Sequence, residues 1–202
     1  MKSIKVHQAG KRFDRRWIFR NLSFELNAGE IIAICGNNGS GKSTLLKAIA
    51  GLLPLSEGSI EYPSEEMRGL LGYSGIDAAL YGELTVAEHM KFAADLQGFR
   101  VDVGGSLAFV ELDYAANRLV RELSTGMRSR LRLALAVLTH PPFLLLDEPG
   151  AALDQAGTDT LNRIIELQSQ TGTVVIATND PKERSLATKV VDLEQELKHA
   201  RV

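Results

Sequence analysis

Apolar residues follow two patterns along this chain: short runs typical of strands and longer stretches with a helical period. The short apolar or alternating runs, bounded by polar residues and glycines, predict strands. These are residues 4–8, 23–26, 31–35, 59–62, 69–74, 143–147, 173–178 and 190–193. The runs "IIAIC", "FLLLD" and "TVVIAT" are apolar without alternation, which indicates parallel strands buried on both faces.

Helical periodicity separates several of these strands and predicts helices over residues 42–51, 85–97, 125–138 and 155–170. The second helix begins with the capping-box residues Thr85 and Glu88, and the fourth follows Asp154 and ends before Gly172. Strands that alternate with helices predict an α/β fold with a mainly parallel sheet. The early alternating strands predict a small antiparallel β layer. The mostly helical residues 77–135 predict a helical subdomain inserted into one domain, 1–202.

Composition restricts the class of protein. With 45% hydrophobic and 24% charged residues, the chain of 202 residues resembles an ordinary globular domain. Its formal net charge is −2 and its basic residues are spread out, so we expect no nucleic-acid partner. The single cysteine, Cys35, excludes an intramolecular disulfide and fits a reducing compartment. Because the N-terminus has no signal-peptide core and the apolar runs are too short to span a membrane, we expect a cytoplasmic protein.

A glycine-rich loop lies between the strand "IIAIC" and the helix that follows. Its sequence, "GNNGSGKST" over residues 36–44, matches the phosphate-binding pattern G-x-x-x-x-G-K-[ST]. Glycines let backbone N–H groups turn inward, and the helix N-terminus favours an anion. We expect Lys42 to contact the β- and γ-phosphates and Ser43 to contact Mg²⁺. The predicted nucleotide-binding residues here are Gly36, Asn37, Asn38, Gly39, Ser40, Gly41, Lys42, Ser43 and Thr44.

Two carboxylates, Asp147 and Glu148, end the strand "FLLLD". At the tip of a neighbouring parallel strand they can reach a nucleotide bound by the glycine-rich loop. We expect Asp147 to hold the metal and Glu148 to accept a proton from an attacking water. Without the glycine-rich loop, the same residues would equally indicate a plain strand end and a polar turn before Pro149.

The segment ahead of these carboxylates carries a family resemblance. The pentapeptide "LSTGM", from Leu123 to Met127, precedes "LLLDEP", with "LTVAEHMKF" before it and "GAALD" after it. In this order the chain resembles ATP-binding cassette (ABC) ATPases over nearly its whole length. The resemblance implies a P-loop NTPase core, ATP hydrolysis with Mg²⁺, and a head-to-tail dimer. In that dimer Ser124 and Gly126 would bind the γ-phosphate on the other subunit, a role compatible with N-capping by Ser124.

The resemblance also implies partners and an adenine contact. A single cassette without a predicted membrane span implies a separate transmembrane permease subunit, docked near residues 76–81. This chain would then lie on the inner face of the cell membrane, bound to the permease. The second ABC subunit of the dimer can be a like or an unlike one. Phe13 stands where the family has an aromatic residue that stacks on adenine, with Trp17 as the alternative.

Two residues depart from the family's pattern. Ile76 stands in place of a glutamine that contacts the metal and the attacking water, and Asn179 replaces a histidine that contacts the γ-phosphate. Isoleucine can do neither task, and asparagine is shorter and cannot become cationic. We therefore expect an ATPase with the catalytic residues Lys42, Glu148 and Asn179 and slow hydrolysis at its own site. The alternatives are a nucleotide-gated binding module and an ABC ATPase without a transport role.

Overall fold

The structure is a computed structural model that describes residues 3–68 and 70–193. Within these ranges a five-stranded parallel sheet has the strand order β5-β6-β7-β3-β8. Its strands are β3 (Ile31–Cys35), β5 (Gly72–Ser74), β6 (Phe143–Asp147), β7 (Thr173–Thr178) and β8 (Lys189–Asp192). The predicted α/β fold with a mainly parallel sheet is confirmed.

The central strands are apolar at nearly every position because both faces of the sheet are covered. All residues of β6 and β7 are buried, and so are all residues of β3 after the first. The register pairs Cys35 with Thr178 and Asp147 with Ala177. The carboxyl ends of these three strands therefore lie side by side at one edge of the sheet, where the glycine-rich loop and the two carboxylates begin.

A second, antiparallel sheet has the order β2-β1-β4, which confirms the predicted small β layer. It is formed by β1 (Ser3–Phe13), β2 (Arg16–Asn27) and β4 (Glu57–Glu61). The first two strands are longer than predicted because they continue to a tight turn, where Asp14 has a φ of 50°. One apolar cluster joins this layer to the central sheet, with Phe19 and Leu22 from β2 packed beside Ile32 and Ile34 from β3.

The helices in the described ranges include all four predicted ones, with bounds within two residues of the prediction. These helices are α1 (Lys42–Ile49), α2 (Glu65–Arg68), α3 (Val86–Leu96), α4 (Val103–Phe109), α5 (Thr125–Val137), α6 (Gln155–Thr171) and α7 (Pro181–Ser185). The capping box of Thr85 and Glu88 is present, and Asp154 caps α6 by accepting a hydrogen bond from the Gly157 N–H. Helices α2, α4 and α7 are too short for periodicity to predict them.

Helices α3, α4 and α5 lie between β5 and β6 in sequence and share an apolar cluster of their own. Its buried members include Met90 of α3, Leu107 of α4 and Leu131 of α5. A further cluster packs α5 and α6 against β6 and β7. A core with a helical subdomain over about 77–135 stays a prediction, and the separate apolar cluster is compatible with it.

His89 on α3 is buried in this region, with 4% of its surface exposed. Its Nε2 accepts a hydrogen bond from the backbone N–H of Tyr81 at 3.1 Å, and its ring lies 5.5 Å from the Tyr81 ring. Burial lowers the pKa of His89 below its ordinary value, so the folded protein favours the neutral imidazole.

Acidification is therefore expected to destabilise the protein through His89. The stability that the neutral ring provides is present above the unfolded-state pKa and is lost as the pH falls towards the lower folded-state pKa. We expect the melting temperature to fall more in the native chain than in His89→Gln between about pH 7.5 and about pH 5.5. Thermal circular dichroism measures this difference, and equal decreases in the two proteins would contradict it.

Candidate active site

The glycine-rich loop connects β3 to α1 and takes backbone conformations that favour glycine. Gly36, Gly39 and Gly41 have φ angles of 152°, 81° and 100°. A Cβ atom on Gly41 would also lie 2.5 Å from Cγ2 of Ile18 in β2. Because Gly41 has no side chain to cap α1, the first N–H groups of this helix are available to an anion.

The Ser40 hydroxyl in the same loop supports an anion site. Its Oγ is buried and has no hydrogen-bond partner among the described residues. An unpaired buried hydroxyl costs free energy, and a phosphate oxygen would accept its proton. The loop therefore contains a buried hydroxyl that could donate a hydrogen bond to a bound polyphosphate.

Lys42 is buried at the start of α1, with 4% of its surface exposed. Its Nζ donates to the carbonyl oxygens of Gly36 at 2.9 Å and Asn37 at 3.3 Å. The same Nζ lies 3.8 Å from Oε1 of Glu148. The fold therefore brings the loop lysine and the second strand-end carboxylate together.

Ser43 and Asp147 form the oxygen pair that a metal ion would use. The Ser43 hydroxyl donates to Oδ1 of Asp147 at 2.9 Å, and burial raises the pKa of this carboxyl. One carboxylate and one hydroxyl suit Mg²⁺, which keeps water and substrate phosphates as its other ligands. In the described part of the chain, no group of three or more His, Cys, Asp or Glu side chains could hold a metal.

Glu148 has a left-handed backbone conformation with a φ of 46°, which is uncommon for a residue other than glycine. Its N–H donates to the carbonyl of Ala177 in β7 at 2.8 Å, which holds this turn against the sheet. Glu148, Asp147 and Ile76 line a cavity of about 20 Å³. That volume is sufficient for about one water molecule.

Asn179 follows β7 and reaches the glycine-rich loop. Its Nδ2 donates to Oδ1 of Asn38 at 2.8 Å. The next residue, Asp180, caps α7 by accepting a hydrogen bond from the Lys182 N–H at 2.7 Å. The two polar residues that follow β7 therefore have different contacts: Asp180 caps a helix, and Asn179 binds the glycine-rich loop.

Ser124 and Gly126 lie at the start of α5, in the helical region rather than at the strand ends. The Ser124 hydroxyl accepts a hydrogen bond from the Met127 N–H at 3.2 Å, which confirms the N-cap. Lys42, Asp147 and Asn179 instead lie at the carboxyl edge of the central sheet and in the turns that follow it. The predicted site residues therefore form two groups within one chain.

The two candidate adenine contacts lie on the hairpin of β1 and β2. The Trp17 ring contacts two guanidinium groups, with that of Arg12 at 5.4 Å and that of Arg20 at 4.6 Å from the ring centre. Phe13 is 46% exposed, with the Lys11 ammonium 5.0 Å from its ring centre. The Phe13 ring is therefore more available for stacking than the Trp17 ring.

A chain of polar contacts beside Asp147 could not be predicted from the sequence. The Tyr73 hydroxyl lies 3.4 Å from Oδ2 of Asp147 and 3.3 Å from Oδ1 of Asp77, and Lys47 forms an ion pair with Asp77. Burial raises the pKa of Tyr73, so this hydroxyl stays a donor. Burial alone would raise the pKa of Asp77, but the Lys47 ammonium holds it below its ordinary value. These residues come from different elements, so no local motif joins them.

Comparison with known proteins identifies the family of this chain. Residues 19–151 match the family model described as ABC transporter. The chain belongs to the ABC transporter family. It is 41% identical over 167 residues to the cytochrome c biogenesis ATP-binding export protein CcmA of Bradyrhizobium diazoefficiens, covering 80% of this chain and 84% of that protein. It is 36% identical to CcmA of Nitrosococcus oceani, covering 87% of this chain and 85% of the relative.

Solved structures show the same fold. An ATP-binding subunit of an ABC transporter has a TM-score of 0.84 at 24% identity, covering 94% of this chain and 85% of that one. A dimeric ATP-binding cassette with bound ADP and phosphate has the same TM-score and identity, covering 94% and 93%. The P-loop NTPase fold is therefore confirmed.

This ABC protein is an ATP-binding subunit of a transporter and an ATPase, as the family match and the curated relatives show. The predicted family, fold class and enzyme class are thereby confirmed. In the described residues, no helix has the length and apolar character needed to cross a membrane.

Proposed function

We propose that this ABC subunit binds MgATP, hydrolyses it slowly at its own site, and drives or gates a separate transmembrane permease. The contact of Asn179 Nδ2 with Asn38 Oδ1, at 2.8 Å, carries the proposal. It puts the amide beside the loop that would hold the phosphates. An amide there offers one neutral donor, whereas an imidazole can also carry a positive charge and move a proton.

The site residues have distinct proposed roles. Lys42 binds the β- and γ-phosphates together with the N–H groups of the glycine-rich loop. Ser43 and Asp147 hold Mg²⁺, which when bound neutralises charge on the phosphates. Glu148 orients the attacking water and accepts its proton. The more exposed ring of Phe13 favours it over Trp17 as the adenine contact.

Ile76 supports slow hydrolysis by a second route. It lines the water-sized cavity beside Asp147 and Glu148, where it can offer neither a donor nor an acceptor. A water in this cavity would be oriented by Glu148 with less help than a glutamine at position 76 would provide. Poorer orientation of the attacking group lowers the rate without weakening ATP binding.

The partners follow from the division of the site into two groups. We propose a head-to-tail dimer in which Ser124 and Gly126 bind the nucleotide on the other subunit. Ile76 and Asn179 weaken only this chain's own site, so an unlike subunit with a complete site is the favoured partner. The named role of the CcmA relatives supports export as the direction of transport, with this chain held on the cytoplasmic membrane face by the permease.

A groove of about 420 Å³ is the proposed permease contact. It is lined by the segment that follows β5 and by residues in and just before α5, including Ile76, Leu80, Val120, Arg128 and Arg132. Ile76 lines both this groove and the water-sized cavity at the site. Movement of the permease segment is therefore expected to reach the site through residues 76–80.

Restoring the two missing side chains tests slow hydrolysis. In the double variant Asn179→His with Ile76→Gln we expect steady-state turnover to rise about tenfold, equivalent to about 1.4 kcal/mol of barrier. Asn162→His, an exposed site on α6, is the matched control and should turn over at the native rate. Equal turnover in the native chain and the double variant would contradict the proposal.

A second measurement separates the transport role from its alternatives. We expect the chain to co-purify from membranes with a multi-span protein and to change its turnover on binding it. Co-purification without any measurable hydrolysis would instead favour the nucleotide-gated binding module. Absence of a membrane partner would favour an ABC ATPase without a transport role.

A further inference from the structure

We infer that Glu183 is a positioning residue that ties the loop after Glu148 to the strand end that carries Asn179. Glu183 lies on α7 and is 9% exposed. Its Oε1 accepts a hydrogen bond from the backbone N–H of Gly150 at 2.9 Å. Gly150 lies two residues after Glu148, in the turn that leads away from the site.

The same carboxylate lies against the end of β7. The side chain of Thr178, the last residue of that strand, is close enough to Glu183 to lower the pKa of its carboxyl. Thr178 in turn accepts a hydrogen bond from the Asp180 N–H at 2.9 Å, across Asn179. Burial raises the pKa of Glu183, and the Thr178 side chain and the hydrogen bond from the Gly150 N–H oppose that rise. One buried carboxylate therefore joins the turn 148–150 to the residues on both sides of Asn179.

The close approach explains the glycine at position 150. A Cβ atom there would lie 2.4 Å from Oε1 of Glu183. Gly150 is not among the glycines with a positive φ, so its backbone conformation is open to alanine. A Cβ atom at position 150 would therefore push the Glu183 carboxylate away from the Gly150 N–H.

Two hydrogen bonds hold the turn at both ends. The Glu148 N–H donates to Ala177 O at 2.8 Å, and the Gly150 N–H donates to Glu183. Together they restrict the backbone that carries the Glu148 carboxylate, whose Oε1 lies 3.8 Å from Nζ of Lys42. Glu183 acts through Glu148 and Asn179, and this inference rests on the proposed roles of those two residues.

Variants at positions 183 and 150 test the link. In Glu183→Ala we expect turnover to fall about tenfold, because a misplaced catalytic group costs rate. ATP affinity should stay near the native value, because the glycine-rich loop is untouched. Glu183→Gln should recover most of the rate, since its amide oxygen still accepts from Gly150. Glu166→Ala, an exposed glutamate on α6, is the control and should match the native chain.

A double-mutant cycle gives a readout that general destabilisation does not produce. Gly150→Ala should lower turnover by itself, through its clash with the carboxylate, yet add nothing in the Glu183→Ala background. Hydrogen exchange of residues 148–154 should increase in Glu183→Ala and stay native in Glu183→Gln. Additive effects of the two alanine substitutions, native turnover in Glu183→Ala, or parallel loss of ATP affinity would each overturn the inference.

A fallback variant and a second background chain complete the experiment. If Glu183→Ala does not fold, Gly150→Ala decides alone: lower turnover at native ATP affinity supports the link, and native turnover overturns it. All variants are measured both in the native chain and with Asn179→His and Ile76→Gln. The proposed slow hydrolysis fails if those two substitutions bring no gain in turnover. The Glu183 link is tested separately, by the turnover and ATP affinity of each position-183 and position-150 variant relative to its own parent chain.

Discussion

In Lys42→Met, ATP is expected to bind about 100-fold more weakly than in the native chain, a difference of about 2.8 kcal/mol. The Lys42 ammonium is buried and held by carbonyl oxygens of the glycine-rich loop, where little solvent screens its charge. Hydrogen bonds to charged groups contribute about 1.5–3 kcal/mol each, which accounts for the size of the loss. Methionine preserves most of the aliphatic stem, so α1 keeps its packing. Titration with a fluorescent ATP analogue measures the affinity.

Lys189→Met is the matched control. Lys189 donates to a backbone carbonyl, that of Glu25, and lies beside Ile32 at the end of β3 remote from the glycine-rich loop. Its replacement removes a more exposed lysine that also donates to a backbone carbonyl, without touching the nucleotide site, so ATP affinity should stay native. A folded Lys42→Met protein that binds ATP as tightly as this control would exclude Lys42 from phosphate binding.

The central sheet could be predicted from the sequence because its determinants are local. A strand buried on both faces needs apolar residues at every position, and the runs at 31–35, 143–147 and 173–178 coincide with β3, β6 and β7. Helix starts are local as well, as the confirmed caps at Thr85 and Asp154 show. The glycine-rich loop and the strand-end carboxylates could therefore be expected at one sheet edge.

Contacts between distant elements could not be predicted in this way. Glu183 looks like an ordinary surface glutamate of a short helix, yet its carboxylate is bound by Gly150, 33 residues away in sequence. Tyr73 is separated from Asp147 by 74 residues. Such contacts depend on how the elements pack, which neither the periodicity nor the spacing of the sequence can predict. The hydrogen bond between Asn179 and Asn38 is a further contact of this kind.

Glu148→Gln is expected to reduce turnover at least about 100-fold, since a positioned general base contributes about 10²–10⁴-fold. Glutamine has the shape of glutamate but cannot accept the proton of an attacking water. ATP binding should be retained, because Lys42, Ser43 and the loop N–H groups are unchanged. The low native rate makes single-turnover hydrolysis of bound ATP the appropriate measurement, in the native chain and with Asn179→His and Ile76→Gln.

Glu111→Gln is the control, because it removes the same charge from a residue with a similar backbone conformation. Glu111 also has a positive φ, 55° against 46° for Glu148, but lies in the helical region after α4. If replacing glutamate by glutamine at a left-handed position destabilised the whole fold, both variants would lose activity. Loss in Glu148→Gln alone assigns the proton to the Glu148 carboxylate. Near-native hydrolysis in Glu148→Gln would instead mean that the water loses its proton directly to the γ-phosphate, and that Glu148 serves only the turn that Glu183 holds.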